Sequence, residues 1–257
     1  MEIIGVAGTK RSGKSSCAKF ISGVIMQRSG VINKYDMDSN GDLIVNYEKK
    51  EGHTISRGMG IFDLDRKDDV FMNYLSEVVW PHVKIYNFAD SLKWILINMY
   101  GFSVESLFGG EKKDSPSHIK WEQMVDIIPK KKLKKNIMLD SYMSNREAMQ
   151  YFGDVLRNID TDCFIKHCVK EIQNEQCPVA IIGDVRRKNE VDAIKALGGK
   201  VIYLTRKIDN KEQHDTETEL TTIDSSYYDL IINNEGKTIN EKNDMLYSGL
   251  KELGLFE

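Results

Sequence analysis

Eight residues near the start of the chain, Gly8-Thr-Lys-Arg-Ser-Gly-Lys-Ser15, set glycine, lysine and serine at the spacing G-x-x-x-x-G-K-[ST]. That spacing belongs to a loop that wraps the phosphates of a nucleoside triphosphate. Glycines let the backbone curl until successive N–H groups point at phosphate oxygens, and the helix that follows adds partial positive charge at its N-terminus. In such a loop Lys14 reaches the β- and γ-phosphates of ATP and Ser15 ligates Mg²⁺. Gly8, Lys10, Arg11, Ser12, Gly13 and Ser16 complete the expected cradle. A glycine-rich turn with a chance lysine is the plain alternative, and the apolar run before the loop and helical period after it count against that reading.

Other side chains are candidates for handling a second reactant. Lys93 closes Tyr86-Asn-Phe-Ala-Asp-Ser-Leu-Lys93 in the first turns of an expected helix, beside the strand ends where open α/β sheets bind ligands. A solvated surface lysine has the same appearance. Arg146 and Gln150 are spaced i, i+4 in Asn145-Arg-Glu-Ala-Met-Gln-Tyr-Phe-Gly-Asp-Val-Leu-Arg157 and share a helix face. The arginine fork suits a phosphate, and the glutamine amide can both donate to and accept from a nucleobase edge; an exposed polar stripe would read alike. In Ile181-Ile-Gly-Asp184-Val-Arg186, Asp184 could hold Mg²⁺ or its water shell, and Arg186 could offset charge on a transferred phosphoryl group. An aspartate capping the next helix is the alternative there.

Positioning these groups requires strands that end near one another. Five short apolar runs, at 3–7, 83–88, 179–182, 201–204 and 230–232, read as buried parallel strands. Helical periods at 14–27, 91–100, 145–158, 162–173, 188–197 and 240–253 alternate with them. The expected fold is α/β, a doubly wound five-stranded parallel sheet with helices on both faces, in one domain spanning 1–257. Two stretches break the rhythm. Residues 33–47 alternate around Ser39-Asn40-Gly41-Asp42, a hairpin signal within an insertion at about 30–81. Residues 109–140 are charged, include Lys130-Lys-Lys-Leu-Lys-Lys135, show only weak helical period at 118–128, and read as a mobile or substrate-facing segment.

Composition narrows the classes. The 257 residues are 41% hydrophobic, enough for one large α/β domain, and a net charge of −3 provides no global attraction to nucleic acid or anionic membrane. Cys17, Cys163, Cys168 and Cys177 form no CxxC pair, and the five histidines show no metal-ligand spacing. With no basic leader and no apolar run near 18 to 20 residues, a cytoplasmic protein without a membrane partner is expected. Asp36-x-Asp38-x-Asn40-Gly41-Asp42 begins like a calcium loop, but its twelfth position is Tyr47 instead of glutamate, so we read a polar hairpin. The lysine run lacks interleaved aromatic residues, and stable nucleic-acid binding is not expected.

Taken together, these motifs resemble the phage deoxynucleoside monophosphate kinases, relatives of the P-loop nucleoside monophosphate kinase group. The resemblance rests on Gly8 to Ser15, Phe88-Ala-Asp-Ser-Leu-Lys93, Arg146-x-x-x-Gln150-x-x-Gly153, Asp184-x-Arg186 with Glu190, His214-Asp-Thr-Glu217, and Asp229-x-x-Ile232-x-Asn234-x-Gly236. It implies phosphoryl transfer from ATP to a deoxynucleoside monophosphate, in the host cytoplasm if the gene is a phage's. Lys14, Asp184 and Arg186 take the catalytic positions, Ser15 and Asp184 the metal positions, and Lys93, Arg146, Gln150, Gly153, Asp154 and Glu190 the acceptor positions. Arg206, His214 and Glu217 fall in the segment covering the donor. Segments 109–140 and 207–219 are candidates for closing over the substrates. The insertion at 30–81 is a candidate for shaping the acceptor pocket or for a homodimer contact. Two rivals share parts of the pattern: another small-molecule kinase, such as one acting on dephospho-coenzyme A, and a DNA-associated ATPase using the lysine run.

Overall fold

The computed structural model describes residues 1–9, 11–51, 54–128, 133, 137–206, 220 and 223–256, with side chains placed for all of these except 47–51, 54–57 and 111. Lys10, the lysines of the 130–135 run, and the 207–219 segment with His214 and Glu217 lie outside the described residues.

Each of the five apolar runs becomes a strand: β1 (Glu2–Gly8), β5 (Val83–Tyr86), β8 (Val179–Val185), β9 (Lys200–Thr205) and β10 (Leu230–Asn233). They form one all-parallel sheet in the order β10-β9-β1-β8-β5. The chain places β5 and β8 on one side of β1 and β9 and β10 on the other, so the connections diverge at the carboxyl end of β1, where such sheets bind ligands. Alternation along β1 buries both faces. Ile4 and Val6 join the core cluster with Cys17, Ile21 and Val24 of helix α1 (Lys14–Arg28). Gly5 faces the other way, where an added Cβ would sit 2.6 Å from Ile194 of helix α7 (Lys188–Ala196). Helices therefore cover both faces, as the strand and helix rhythm predicts.

The 30–81 region contains more structure than the hairpin signal reveals. β2 (Tyr35–Met37), β3 (Leu43–Glu51) and β4 (Thr54–Ile61) make a three-stranded antiparallel sheet, with Tyr35 opposite Val45 and Met37 opposite Leu43. Asp38 builds the turn by accepting the backbone N–H groups of Asn40 (2.9 Å) and Asp42 (2.8 Å). Helix α2 (Asp69–Tyr74) and a π-helical turn (Leu75–Val79) follow. Met37, Leu43, Val45, Phe62, Leu75 and Val79 are buried in the same cluster as α1, so the insertion shares the main core.

The chain divides into two compact units, Met1–Asn87 with Glu171–Glu257, and Phe88–Lys170. The second contains α3 (Asp90–Tyr100), α4 (Val104–Phe108), β6 (Pro116–Lys120), β7 (Tyr142–Ser144), α5 (Asn145–Ile159) and most of α6 (Cys163–Glu175). The weak helical period at 118–128 is not a helix: β6 pairs antiparallel with β7, and Trp121–Gln123 form a single 3₁₀ turn. Ile119, Trp121, Met124 and Ile128 are buried, so their recurrence marks packing of an irregular segment. The last helix, α8 (Ile239–Glu252), returns to the first unit and packs on β10 and α1. No helix among the described residues is long and apolar enough to cross a membrane.

Candidate active site

The loop after β1 closes through backbone geometry that its glycines supply. Gly13 caps α1 at φ +93°, a left-handed conformation that side chains disfavour. A Cβ on Gly8 would lie 2.7 Å from the carbonyl oxygen of Leu204, so β9 leaves no room for one. Arg11 also takes φ +61° and projects outward. The first intrahelical bond of α1 runs from Cys17 N–H to Gly13 O (2.9 Å). The N–H groups of Lys14, Ser15 and Ser16 therefore have no intrahelical acceptor and lie at the end of the helix where its dipole is positive. Lys14 folds over this end, donating from Nζ to the carbonyls of Gly8 (2.6 Å) and Thr9 (2.7 Å).

A cavity of about 850 Å³ opens over the loop. Among the described residues its walls include Arg11, Lys14, Arg186, Arg206, Lys237 and Lys242, six cations, against a single acid, Asp38. Such a charge balance suits a polyanion, and the volume suits a nucleotide. Ser15 and Ser16 line it as well. Ser12 Oγ and Asn234 Oδ1 are buried beneath the loop without a hydrogen bond to a described residue, leaving polar capacity beyond the loop's own bonds.

Asp184 is the penultimate residue of β8, half-buried and outside the cavity wall. It does not cap α7; Arg187 occupies the N-cap position. Arg186, by contrast, reaches the cavity. Glu190 is buried at 5% exposure, and its Oε2 accepts the N–H groups of Arg186 (2.7 Å) and Arg187 (3.1 Å). That geometry makes it an anchor for the arginine-bearing turn.

In the second unit, α3 carries Lys93 and α5 carries Arg146, Gln150, Gly153 and Asp154. Lys93 is paired with Asp90 (2.6 Å) and stands 4.3 Å from the centroid of the Phe108 ring. Arg146 grips Asp114 with Nε (2.6 Å) and Nη2 (3.2 Å), a two-pronged carboxylate contact that shows the fork oriented and held. Gln150 is half-exposed in the middle of α5. Gly153 lets α5 approach α3 closely: a Cβ there would come within 3.1 Å of the Leu92 side chain. Asp154 is buried at 6% exposure. Ser144 and Glu147 start α5 with a reciprocal capping box, fixing where the Arg146 face begins.

The chain matches the family model described as deoxynucleotide monophosphate kinase over residues 2–244. The chain belongs to the deoxynucleotide monophosphate kinase family. Enterobacteria phage T4 deoxynucleotide monophosphate kinase is 25% identical over 253 residues, covering 92% of this chain and 93% of the relative. A putative deoxynucleotide monophosphate kinase of Acanthamoeba polyphaga mimivirus is 29% identical over 161 residues, 60% of this chain and 76% of the relative.

In this kinase, the sequence motifs at 229–236 divide into scaffold and site. Asp229 accepts Val201 N–H (2.8 Å) and the Lys195 ammonium (3.0 Å), joining β9, α7 and β10. Asn234 Nδ2 donates to Ser12 O (2.6 Å), tying the C-terminal turn to the phosphate loop. Sequence reasoning missed Lys242, and it read the hairpin around 39–42 without placing its tip at the phosphate loop. Gly41, at φ +84°, lies against Ser16, where an added Cβ would be 2.7 Å from the serine Cβ, and Asp38, Ser39 and Asn40 line the cavity. Lys242 had a legible signal: residues 239, 242, 243, 246, 249 and 250 follow a helical stripe, and a lysine sits inside it.

Proposed function

We propose that the chain transfers the γ-phosphoryl group of ATP to a deoxynucleoside 5′-monophosphate, yielding the deoxynucleoside diphosphate and ADP. The observation that carries this reading is the cation-rich cavity over the loop at 8–15, in a chain of a deoxynucleotide kinase family. The acceptor's phosphate oxygen is already anionic, so attack on the γ-phosphorus needs no strong base. Catalysis is then alignment and charge neutralisation. Lys14 exchanges its two carbonyl partners for β- and γ-phosphate oxygens, the N–H groups of Ser15 and Ser16 hold the chain of phosphates, and Arg186 neutralises charge on the group in transit. Arg11 and Arg206 add to the donor side. Glu190 positions Arg186 through its backbone.

No group of three or more His, Cys, Asp or Glu among the described residues is arranged to hold a metal ion. The exposed Ser15 hydroxyl in the cavity wall fits an ion that takes most of its ligands from phosphate and water. Mg²⁺ would be held there by Ser15, and by Asp184 directly or through water, screening charge on the phosphates.

On the acceptor side Arg146, already oriented for a two-pronged oxyanion contact, is assigned to the monophosphate, with Lys93 as a second cation. The Gln150 amide is assigned to the base edge. Gly153 and Asp154 support that helix face. Incubation with γ-labelled ATP, Mg²⁺ and a deoxynucleoside monophosphate should place the label in the diphosphate product. Label found only in inorganic phosphate would contradict the proposal.

A further inference from the structure

Lysine is almost never fully buried unless paired, yet Lys242 on α8 is 3% exposed. Thr238 and Glu241 start α8 with a capping box, Glu241 Oε2 accepting Thr238 N–H (2.8 Å), which fixes Lys242 one turn into the helix. Its Nζ donates to Ser16 Oγ at 3.0 Å, and no ion pair joins it to a carboxylate among the described residues. Burial lowers its pKa below the ordinary lysine value, partly offset by the Cys17 thiol beside it. The Cys17 side chain beside it is fully buried as well. Lys242 also lines the cavity over the phosphate loop.

A cation held in such a place without an acid has hydrogen-bonding and charge capacity left for an anion. The position of Ser16 says which part of the anion. Lys14 and Ser15 serve the β- and γ-phosphates and the metal, and Ser16 is the next residue of the helix, its N–H also without an intrahelical acceptor. Thr238, Ile239 and Asn240, at the start of α8, line the same cavity as Ser16 and Lys242. We propose that Lys242 is a donor-binding residue that holds the Ser16 hydroxyl and places a full positive charge at the α-phosphate of the nucleotide. The assignment rests on the cavity being the ATP site.

A purely structural lysine, tying α8 to α1, would leave the same bond to Ser16, so the test separates charge from tether. Lys242→Gln keeps an N–H donor for Ser16 and removes the charge; Lys242→Met removes both. ADP and ATP binding are measured by titration calorimetry on the full chain. Both variants should weaken both nucleotides by about tenfold or more, the scale of one hydrogen bond to a charged group. They should also raise KM for ATP more than they lower kcat, while KM for the acceptor does not follow. If either variant loses its cooperative thermal transition, the other carries the measurement. Wild-type affinity for ADP and ATP in a folded variant would overturn the proposal. Failure of the wild-type chain to bind ATP would instead overturn the reading of the cavity.

Discussion

Lys14 reaches back to two carbonyl oxygens of its own loop, and the same reach allows it to meet phosphate oxygens. Lys14→Ala should abolish phosphoryl transfer while circular dichroism and the thermal transition remain those of a folded protein; turnover at the wild-type rate would exclude the assigned role. Asp229 illustrates the opposite kind of residue, one whose charge serves the scaffold. Burial pushes its carboxyl pKa up, but the Val201 N–H and the Lys195 and Lys200 ammonium groups outweigh it and hold it below the usual carboxylate value. A depressed folded pKa gives stability that is fully present above the unfolded value, about 3.9, and is lost as pH falls through the folded value. Asp229→Asn should therefore cost about 1 to 2 kcal/mol at pH 7, and the gap to wild type should close below about pH 4. A gap that is the same at pH 3 and pH 7 would refute it. Neither Asp229 nor Glu190 could be sorted from site residues by sequence alone. Both are held by backbone N–H groups, which leave no residue-specific trace, and the lysine partners of Asp229 lie about 30 positions away in the chain.

Among the elements, the five parallel strands were legible because each is a run of β-branched and aliphatic residues buried on both faces, and the phosphate loop because its spacing is local. What escaped was short or paired across distance. β4 is hidden in a polar stretch because its meaning comes from register with β3, and α2 with its π-helical turn spans barely three turns. The contacts of Asn234 with Ser12 and Lys242 with Ser16 join residues more than 220 positions apart, beyond any window of periodicity. The hairpin is where this matters for function, because its tip meets the loop. Lys19 of α1 pins the tip through Asp42 (3.0 Å) and reaches Asp65 (3.2 Å); burial depresses its pKa, but the two carboxylates prevail and raise it. Gly41→Ala adds a Cβ against Ser16 at a left-handed φ. It should raise KM for ATP and destabilise the fold by about 1 to 2 kcal/mol. Unchanged ATP kinetics would separate the tip from the donor site. Leu43→Ala, fully buried between the hairpin and α1, should cost about 2 to 5 kcal/mol by chemical denaturation. A cost below 1 kcal/mol would mean that the insertion does not share the main core.

For the whole molecule, the net charge of −3 and the six cations of the cavity predict opposite effects of salt on ATP binding. A field set by net charge would repel ATP, so screening would lower KM. A local cationic wall attracts it, so moving from about 0.1 M to about 1 M salt, where the screening length falls from about 10 to about 3 Å, should raise KM for ATP. A fall in KM would favour the net-charge account. The cation-rich cavity bears on the donor, and the central proposal, that a deoxynucleoside monophosphate is the phosphoryl acceptor, draws its support from family membership. The most direct test is a coupled assay of ADP release from ATP and Mg²⁺ with each deoxyribo- and ribonucleoside monophosphate offered in turn. The account predicts release that depends on one or more of the deoxynucleotides, with a matching diphosphate product; an equal, background rate with every acceptor would contradict it.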